Sequence, residues 1–265
     1  MQAGEPPSRP RTYGDADGYD AYMGGWSVLL APSFLRFALP RPPAALLDIG
    51  CGTGNLLAAA RRAFPRAALV GIDPSAALLA RARRHSPLSS ATLARAVAEA
   101  LPFANANFDG ALSLLVLQEF PEPQRALAEM RRVVRRGGCV AACQWDFARM
   151  LVIATLVEAL VEVAPASALR LRTSRVFTDE AELGHAWRQA GLGDVNVTRI
   201  AVTRDFPDFD ALWHPLLTGP TPSTMTLAAL PADEREAVRS IMLRRLGNGK
   251  PLAIAAEALA VRGFS

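Results

Sequence analysis

An apolar run that ends in an acid and three glycines, Leu46-Leu47-Asp48-Ile49-Gly50-Cys51-Gly52-Thr53-Gly54-Asn55, constrains this chain more than any other stretch. It predicts a strand entering a tight turn, because glycine serves where a backbone takes positive φ or lets a ligand approach closely. The apolar Leu56-Leu57-Ala58-Ala59-Ala60 supplies a helix at once. The first N–H groups of such a helix have no partner within it, so the turn presents donors to a ligand.

A strand, a glycine turn and a helix also build dinucleotide sites, with an acid about 20 residues further on that binds ribose. Here the spacing is G-x-G-x-G, and the dinucleotide fingerprint wants its third glycine one residue later. Asp48 would repel a pyrophosphate. It suits a ligand carrying an ammonium or sulfonium charge, such as the methionine end of S-adenosylmethionine. Asp73 closes the next apolar run, Ala67 to Ile72, where a carboxylate can accept both ribose hydroxyls. The competing reading of Asp73 is a helix N-cap before Pro74.

Further blocks follow in order: Gly-Ile-Asp-Pro-Ser (71–75), Ala-Glu-Ala-Leu-Pro-Phe (98–103), Phe-Asp (108–109), Val-Leu-Gln (116–118) and Glu-Met-Arg-Arg-Val (129–133) before Gly-Gly (137–138). With 47–55 at their head, these blocks resemble the class I S-adenosylmethionine-dependent methyltransferases. The resemblance is to the broad small-molecule subfamily that includes ubiquinone- and menaquinone-pathway enzymes. It implies a Rossmann-like, doubly wound seven-stranded α/β sheet with an antiparallel last strand, an N-terminal helical cap and helical lid insertions. The implied cofactor is S-adenosylmethionine. Its implied site takes Tyr19, Met23 and Trp26 from the cap, then Asp48, Gly50, Cys51, Gly52, Thr53, Gly54 and Asn55 from the turn. Asp73, Pro74, Ala98, Glu99, Leu114 and Leu115 complete it.

Two positions depart from the family pattern. Val97 stands where relatives often carry an aspartate that accepts the adenine amino hydrogen, so that bond is expected to be missing. The Ala98 backbone remains for the ring, and Glu99 either takes over the amino contact or stays an exposed loop acid. Gly25 stands where an arginine is common in the cap.

Composition narrows the partners. With 265 residues and 51% hydrophobic content the chain can bury a full core. The net charge of +4 is dispersed over helix faces such as Arg81, Arg83 and Arg84, or Arg131, Arg132, Arg135 and Arg136, which argues against nucleic acid. Cys51, Cys139 and Cys143 form no C-x-x-C pair, so neither disulfides nor a zinc site are expected. No carboxylate-rich cluster calls for a metal. The longest apolar stretch, Met150 to Ala164, holds Glu158 and Glu162 and is too short to span a bilayer. The polar, proline-rich start carries no signal core, and a cytoplasmic protein is expected.

In chain order, residues 1–12 read as a disordered leader, 13–40 as a cap rich in aromatics and 41–146 as the cofactor-binding core. Within the core, the spacing predicts strands over 46–49, 68–72, 92–97, 109–114 and 138–145, and helices over 54–63, 75–84 and 123–135. A helical insertion follows over 147–175, with one apolar helix from Phe147 to Leu171 carrying Thr155, Glu158 and Glu162 on a polar face. Core helix and strand resume over 176–205, the strand at 194–204, and 206–250 is a lid insertion with a helix from about Asp233. The last core strand occupies 251–265 although its alanines favour helix, because tertiary context overrides propensity.

The reaction expected is methyl transfer to a small, largely apolar acceptor by in-line displacement, driven by proximity and exclusion of water. Gln118 and Glu119 follow the fourth strand and are expected to face the methyl group. His214 in the lid is a candidate base, whereas His85 and His185 read as surface residues. The alternative is a protein that binds S-adenosylmethionine or S-adenosylhomocysteine without methyl transfer, as a cyclisation catalyst or regulatory subunit. The sequence leaves monomer and homodimer open.

Overall fold

The computed structural model describes Gly18 and residues 20–84, 86–171 and 177–265. The expected leader, Tyr19 and His85 lie outside these. Apolar runs too short for helices become the parallel strands: β1 (Ala45–Ile49), β2 (Ala68–Asp73), β3 (Thr92–Arg95) and β4 (Phe108–Leu114). Three longer strands follow, β5 (Val134–Met150), β6 (Gly193–Phe206) and β7 (Leu252–Phe264). All seven form one sheet in the order β3-β2-β1-β4-β5-β7-β6. Pairing is parallel from β3 to β5, and β7 runs antiparallel to both β5 and β6.

Helices cover both faces, as a parallel sheet requires. One face carries α1 (Gly25–Ala38), α2 (Asn55–Ala63) and α3 (Ala76–Ala82). The same face takes α5 (Leu151–Val163), the short α6 (Pro165–Ala168), α8 (Phe209–Thr218), α9 (Pro222–Ala229) and α10 (Ala232–Leu246). The other face takes α4 (Pro123–Val133) and α7 (Glu180–Gln189). Side-chain caps set several starts. Ser75 accepts from the Leu78 N–H at 3.3 Å to begin α3, and Asp208 accepts from Ala211 at 3.0 Å to begin α8. At α7, Asp179 accepts from the Glu182 N–H at 2.8 Å while the Glu182 carboxylate accepts from the Thr178 N–H at 2.7 Å.

The strand assigned to the last segment is present, paired residue by residue with β6 from Phe206↔Leu252 to Asn196↔Arg262. Other boundaries move. β3 stops at Arg95, and Val97 makes only an isolated bridge to Ala100. β5 continues past Trp145 to Met150, which pairs with Ala256, so Phe147 belongs to a strand and not to a helix. The expected single helix to Leu171 is broken instead: α5 ends at Val163, and Pro165 opens the next short turn. Thr155 is buried rather than on a polar face, while Glu158 and Glu162 are exposed and both pair with Arg245, at 2.9 and 3.0 Å. Two further helices, α8 and α9, fill the lid stretch ahead of α10. Among the described residues no helix is long and apolar enough to cross a membrane.

On the second face Trp187 of α7 is fully buried, and its indole N–H donates to the Val140 carbonyl at 2.9 Å. It therefore locks α7 onto β5 by packing and by a buried hydrogen bond. Trp187→Ala should cost about 3–5 kcal/mol, read as a lower urea midpoint in equilibrium denaturation; a loss within experimental error would contradict this packing.

Candidate active site

The glycine turn takes the strained geometry its sequence demands. Gly50, Gly52 and Gly54 have φ of +70, +54 and +90°. A Cβ on Gly50 would lie 2.5 Å from Val116 Cγ1, so neither the backbone nor the space accepts another residue there. The Cys51 N–H donates to the Ile72 carbonyl at 2.9 Å, tying the turn to β2. Gly54 starts α2 without any side-chain cap, which leaves the first N–H groups of that helix facing the turn.

Asp48 sits under this turn at the end of β1, 1% exposed, and its Oδ2 has no hydrogen-bond partner. Burial first, and then the nearby Asp73, push its carboxyl well above the usual range. A small cavity opens directly beside it, walled by Asp48, Gly50, Gly52, Thr53, Asn55 and Leu114 together with Ser27 from α1. Such a buried acid is costly when ionised unless a cation joins it. A positively charged group in the cavity would satisfy that oxygen. Cys51 lines it too, but burial and the two aspartates raise its thiol pKa, so it acts as a small hydrophobe.

Asp73 has a structural duty. Its two oxygens accept from the Gly52 N–H at 3.0 Å and the Ser75 N–H at 2.8 Å, fastening the turn to the end of β2. Burial raises its pKa and these two bonds partly offset the rise. Ser75, not Asp73, caps α3. Each Asp73 oxygen keeps a second lone pair, so a ribose could still be received there.

The cap is pinned to the turn by polar contacts that the sequence reading missed. Thr53 donates to Asp20 Oδ1 at 2.6 Å, Arg81 pairs with Asp20 Oδ2 at 3.2 Å, and Asn55 donates to Ser27 Oγ at 2.8 Å. Met23 and Trp26 are buried. Trp26 packs edge-on to Trp145, centroids 6.0 Å apart, and against Phe206 at 6.1 Å. Gly25 makes room for a cation from elsewhere: the Arg204 guanidinium of β6 lies over it, 4.6 Å from the Phe206 ring centroid and 5.7 Å from that of Trp26. Burial lowers the Arg204 pKa. The Tyr22 hydroxyl, pushed up to about 12 by burial, lies 3.5 Å from Thr221 Oγ1 and joins the cap to the start of α9.

The remaining candidates divide. Leu115, immediately after β4, holds φ +63°, a strained position for a non-glycine residue, and donates its N–H to the Cys143 carbonyl at 2.7 Å. Ala98 is buried, Pro74 is half-buried, and Glu99 accepts from the Glu122 N–H at 3.4 Å. Gln118 and Glu119 are half-buried on a short 3-10 turn, Leu117–Glu119. Gln118 lines a second cavity of about 140 Å³ with Gln144, Asp146, Phe147 and Phe177. His214 stands apart from both cavities: it is exposed on α8, whose inner face is Phe209, Leu212, Trp213 and Leu216, and its charged neighbour is Asp210. The structure thus does not bring this histidine to the site, and it is not retained as a base.

The family model described as a methyltransferase domain matches residues 47–142. Over 191 residues the chain is 31% identical to the ubiquinone/menaquinone biosynthesis C-methyltransferase of Ralstonia nicotianae, covering 66% of this chain and 78% of that protein. The chain belongs to the class I S-adenosylmethionine-dependent methyltransferases. To the malonyl-[acyl-carrier protein] O-methyltransferase of Hahella chejuensis this methyltransferase chain is 32% identical over 116 residues, 44% of its own length and 42% of the relative's. It therefore spans less than half of that relative. Among solved structures, a phosphoethanolamine N-methyltransferase 2 of Haemonchus contortus, in complex with phosphomonomethylethanolamine and S-adenosylhomocysteine, shares the fold. The TM-score is 0.58 at 16% identity, over 94% of this chain and 56% of that one.

The unpartnered Asp48 oxygen separates stability from binding. Asp48→Asn should keep the fold, with a melting temperature equal to or above that of the parent, because a buried carboxyl that is costly to ionise gives way to a neutral amide of the same shape. Affinity for S-adenosylmethionine should fall about 100-fold, within the range measured when a buried charge loses its partner. In the parent, affinity should rise with pH as Asp48 ionises through its raised pKa, since a cation binds the ionised form and releases the proton. Calorimetry across pH checks both; an unchanged affinity in the variant would sink the assignment.

Proposed function

We propose that this chain transfers the methyl group of S-adenosylmethionine to a small, largely apolar acceptor enclosed between the glycine turn, the cap and the lid helices α8 to α10. The observation that carries the reading is the buried, unpartnered Asp48 carboxylate beside a cavity shared by turn and cap. The donor, when bound, supplies an electrophilic methyl on a sulfonium whose leaving group is already activated. Asp48 would then hold the positively charged methionine end, and the N–H groups at the uncapped start of α2 would face its carboxylate. Asp73 would receive the ribose, and Ala98 with Glu99 would border the adenine.

What the chain must add is alignment and dryness. Trp26, Trp145 and Phe206 form an aromatic wall under the cap that keeps water out. Gln118 orients the acceptor at the end of β4, and Glu119 on the same turn takes a proton where the acceptor hydroxyl or amine must lose one. Relatives named for malonyl-[acyl-carrier protein] O-methylation and ubiquinone/menaquinone C-methylation support acceptors of metabolite chemistry over nucleic acid.

The test is calorimetric titration with S-adenosylmethionine, S-adenosylhomocysteine and NADH, followed by assay of S-adenosylhomocysteine release over a panel of phenolic and polyketide-like acceptors. Binding of both adenosyl ligands, silence with NADH and release dependent on one acceptor are expected. Binding of NADH, or of neither adenosyl ligand, would overturn the cofactor assignment. Binding without release across the panel would favour the non-transferring alternative.

A further inference from the structure

We propose that the second cavity, at the ends of β4 and β5, is an acceptor subsite that seats a ring-sized apolar group through its hydrogen-bond donor, with Gln144 Oε1 as the accepting atom. This rests on the methyl-transfer reading above, but places the acceptor's ring outside the cap and lid, since none of the cavity's walls comes from the cap or from α8 to α10. Gln144 is 2% exposed on β5. Its amide nitrogen donates to the Phe177 carbonyl, which fixes the orientation of the amide and leaves Oε1 as the atom to be satisfied. That oxygen is buried and has no partner. A buried acceptor without a donor is a standing cost, and it is removed when a ligand brings the donor.

Size and charge narrow what fits. The cavity measures about 140 Å³, close to the roughly 150 Å³ engineered cavity that takes one benzene. Phe147 and Phe177 give it apolar walls, and Gln118 and Gln144 supply the amides. Asp146 also lines it and is paired with Arg199 at 2.5 Å and with Arg149 at 3.8 Å, arginines that also pair with Glu180 and Glu257. A neutral O–H or N–H on a single ring matches it.

Position ties the cavity to the reaction. Leu114 lines the Asp48 cavity and Gln118, four residues further along the same segment, lines this one. Leu114 lies beside Cys143 in the β4–β5 register, and Gln144 is the next residue of β5. Gln144 turns to the sheet face opposite Leu114 and Cys143, towards Phe177, so an occupant it holds lies at the same level along the strands as the Asp48 cavity and meets it over the strand ends.

The test uses phenol as probe and anisole as the same ring with its donor capped, titrated into the full chain by ligand-observed NMR, with and without S-adenosylhomocysteine. Phenol should bind about tenfold more tightly than anisole, as one neutral hydrogen bond allows. Gln144→Met should bring that ratio close to one. Should this variant fail to fold, Ala148→Trp, at an exposed position on the rim, decides by filling the cavity, and phenol binding should disappear. Equal binding of phenol and anisole to the parent, a ratio that survives Gln144→Met, or undiminished phenol binding in Ala148→Trp would overturn the proposal. Calorimetry with S-adenosylhomocysteine on the same samples keeps the two readings apart. Cofactor binding without phenol discrimination defeats the subsite alone, whereas no cofactor binding defeats the methyl-transfer reading.

Discussion

Everything at the site depends on a backbone that turns left-handed at Gly50, Gly52 and Gly54 and is held there by the Asp73 carboxylate. The hydrogen bond from the Gly52 N–H to Asp73 couples the ends of β1 and β2, which the parallel ladder has already placed side by side. Two buried acids result, only one of them satisfied. Asp73 spends its charge on two backbone donors, and Asp48 keeps an oxygen in reserve. Such a division separates the acid that builds the turn from one left with an unsatisfied oxygen.

Around that turn the chain adds layers whose contacts run between distant parts of the sequence. Asp20 joins Thr53 and Arg81, Tyr22 meets Thr221, and Arg204 lies over Gly25. The cap therefore touches the turn, α3, the lid and the far edge of the sheet. Arg204 in particular puts a half-buried guanidinium against two aromatic rings, a placement that favours Arg over the more strongly hydrated Lys.

The alternation of short apolar runs with amphipathic helices made the sheet legible, and the glycine spacing made the left-handed turn beside Asp48 legible. Local signals carried both. What stayed hidden was decided across the fold. The extension of β5 to Met150 comes from its partner β7, since nothing in Trp145 to Met150 itself alternates as a strand should. Thr155 looked polar by type and is buried by packing. Gln144, Asp20 and Arg81 gave no local sign of their partners, because those partners lie 33, 33 and 61 residues away. His214 was a different kind of miss. The phase of Phe209, Leu212, Trp213 and Leu216 already turns it to solvent, and helical periodicity in the sequence carried that information.

The sheet order has a consequence for how the molecule is made. β7 fills the gap between β5 and β6, yet it leaves the ribosome after every other strand. Until it arrives, β6 has no neighbour in the sheet and the helices between β6 and β7 have no fixed base. The half of the sheet from β1 to β5 can assemble early from near neighbours in sequence, whereas α8 to α10 settle only with the final pairing. A nascent chain of this kind therefore passes through a stage with β1 to β5 formed and an open sheet edge. That edge is the part of its biogenesis most exposed to misassembly.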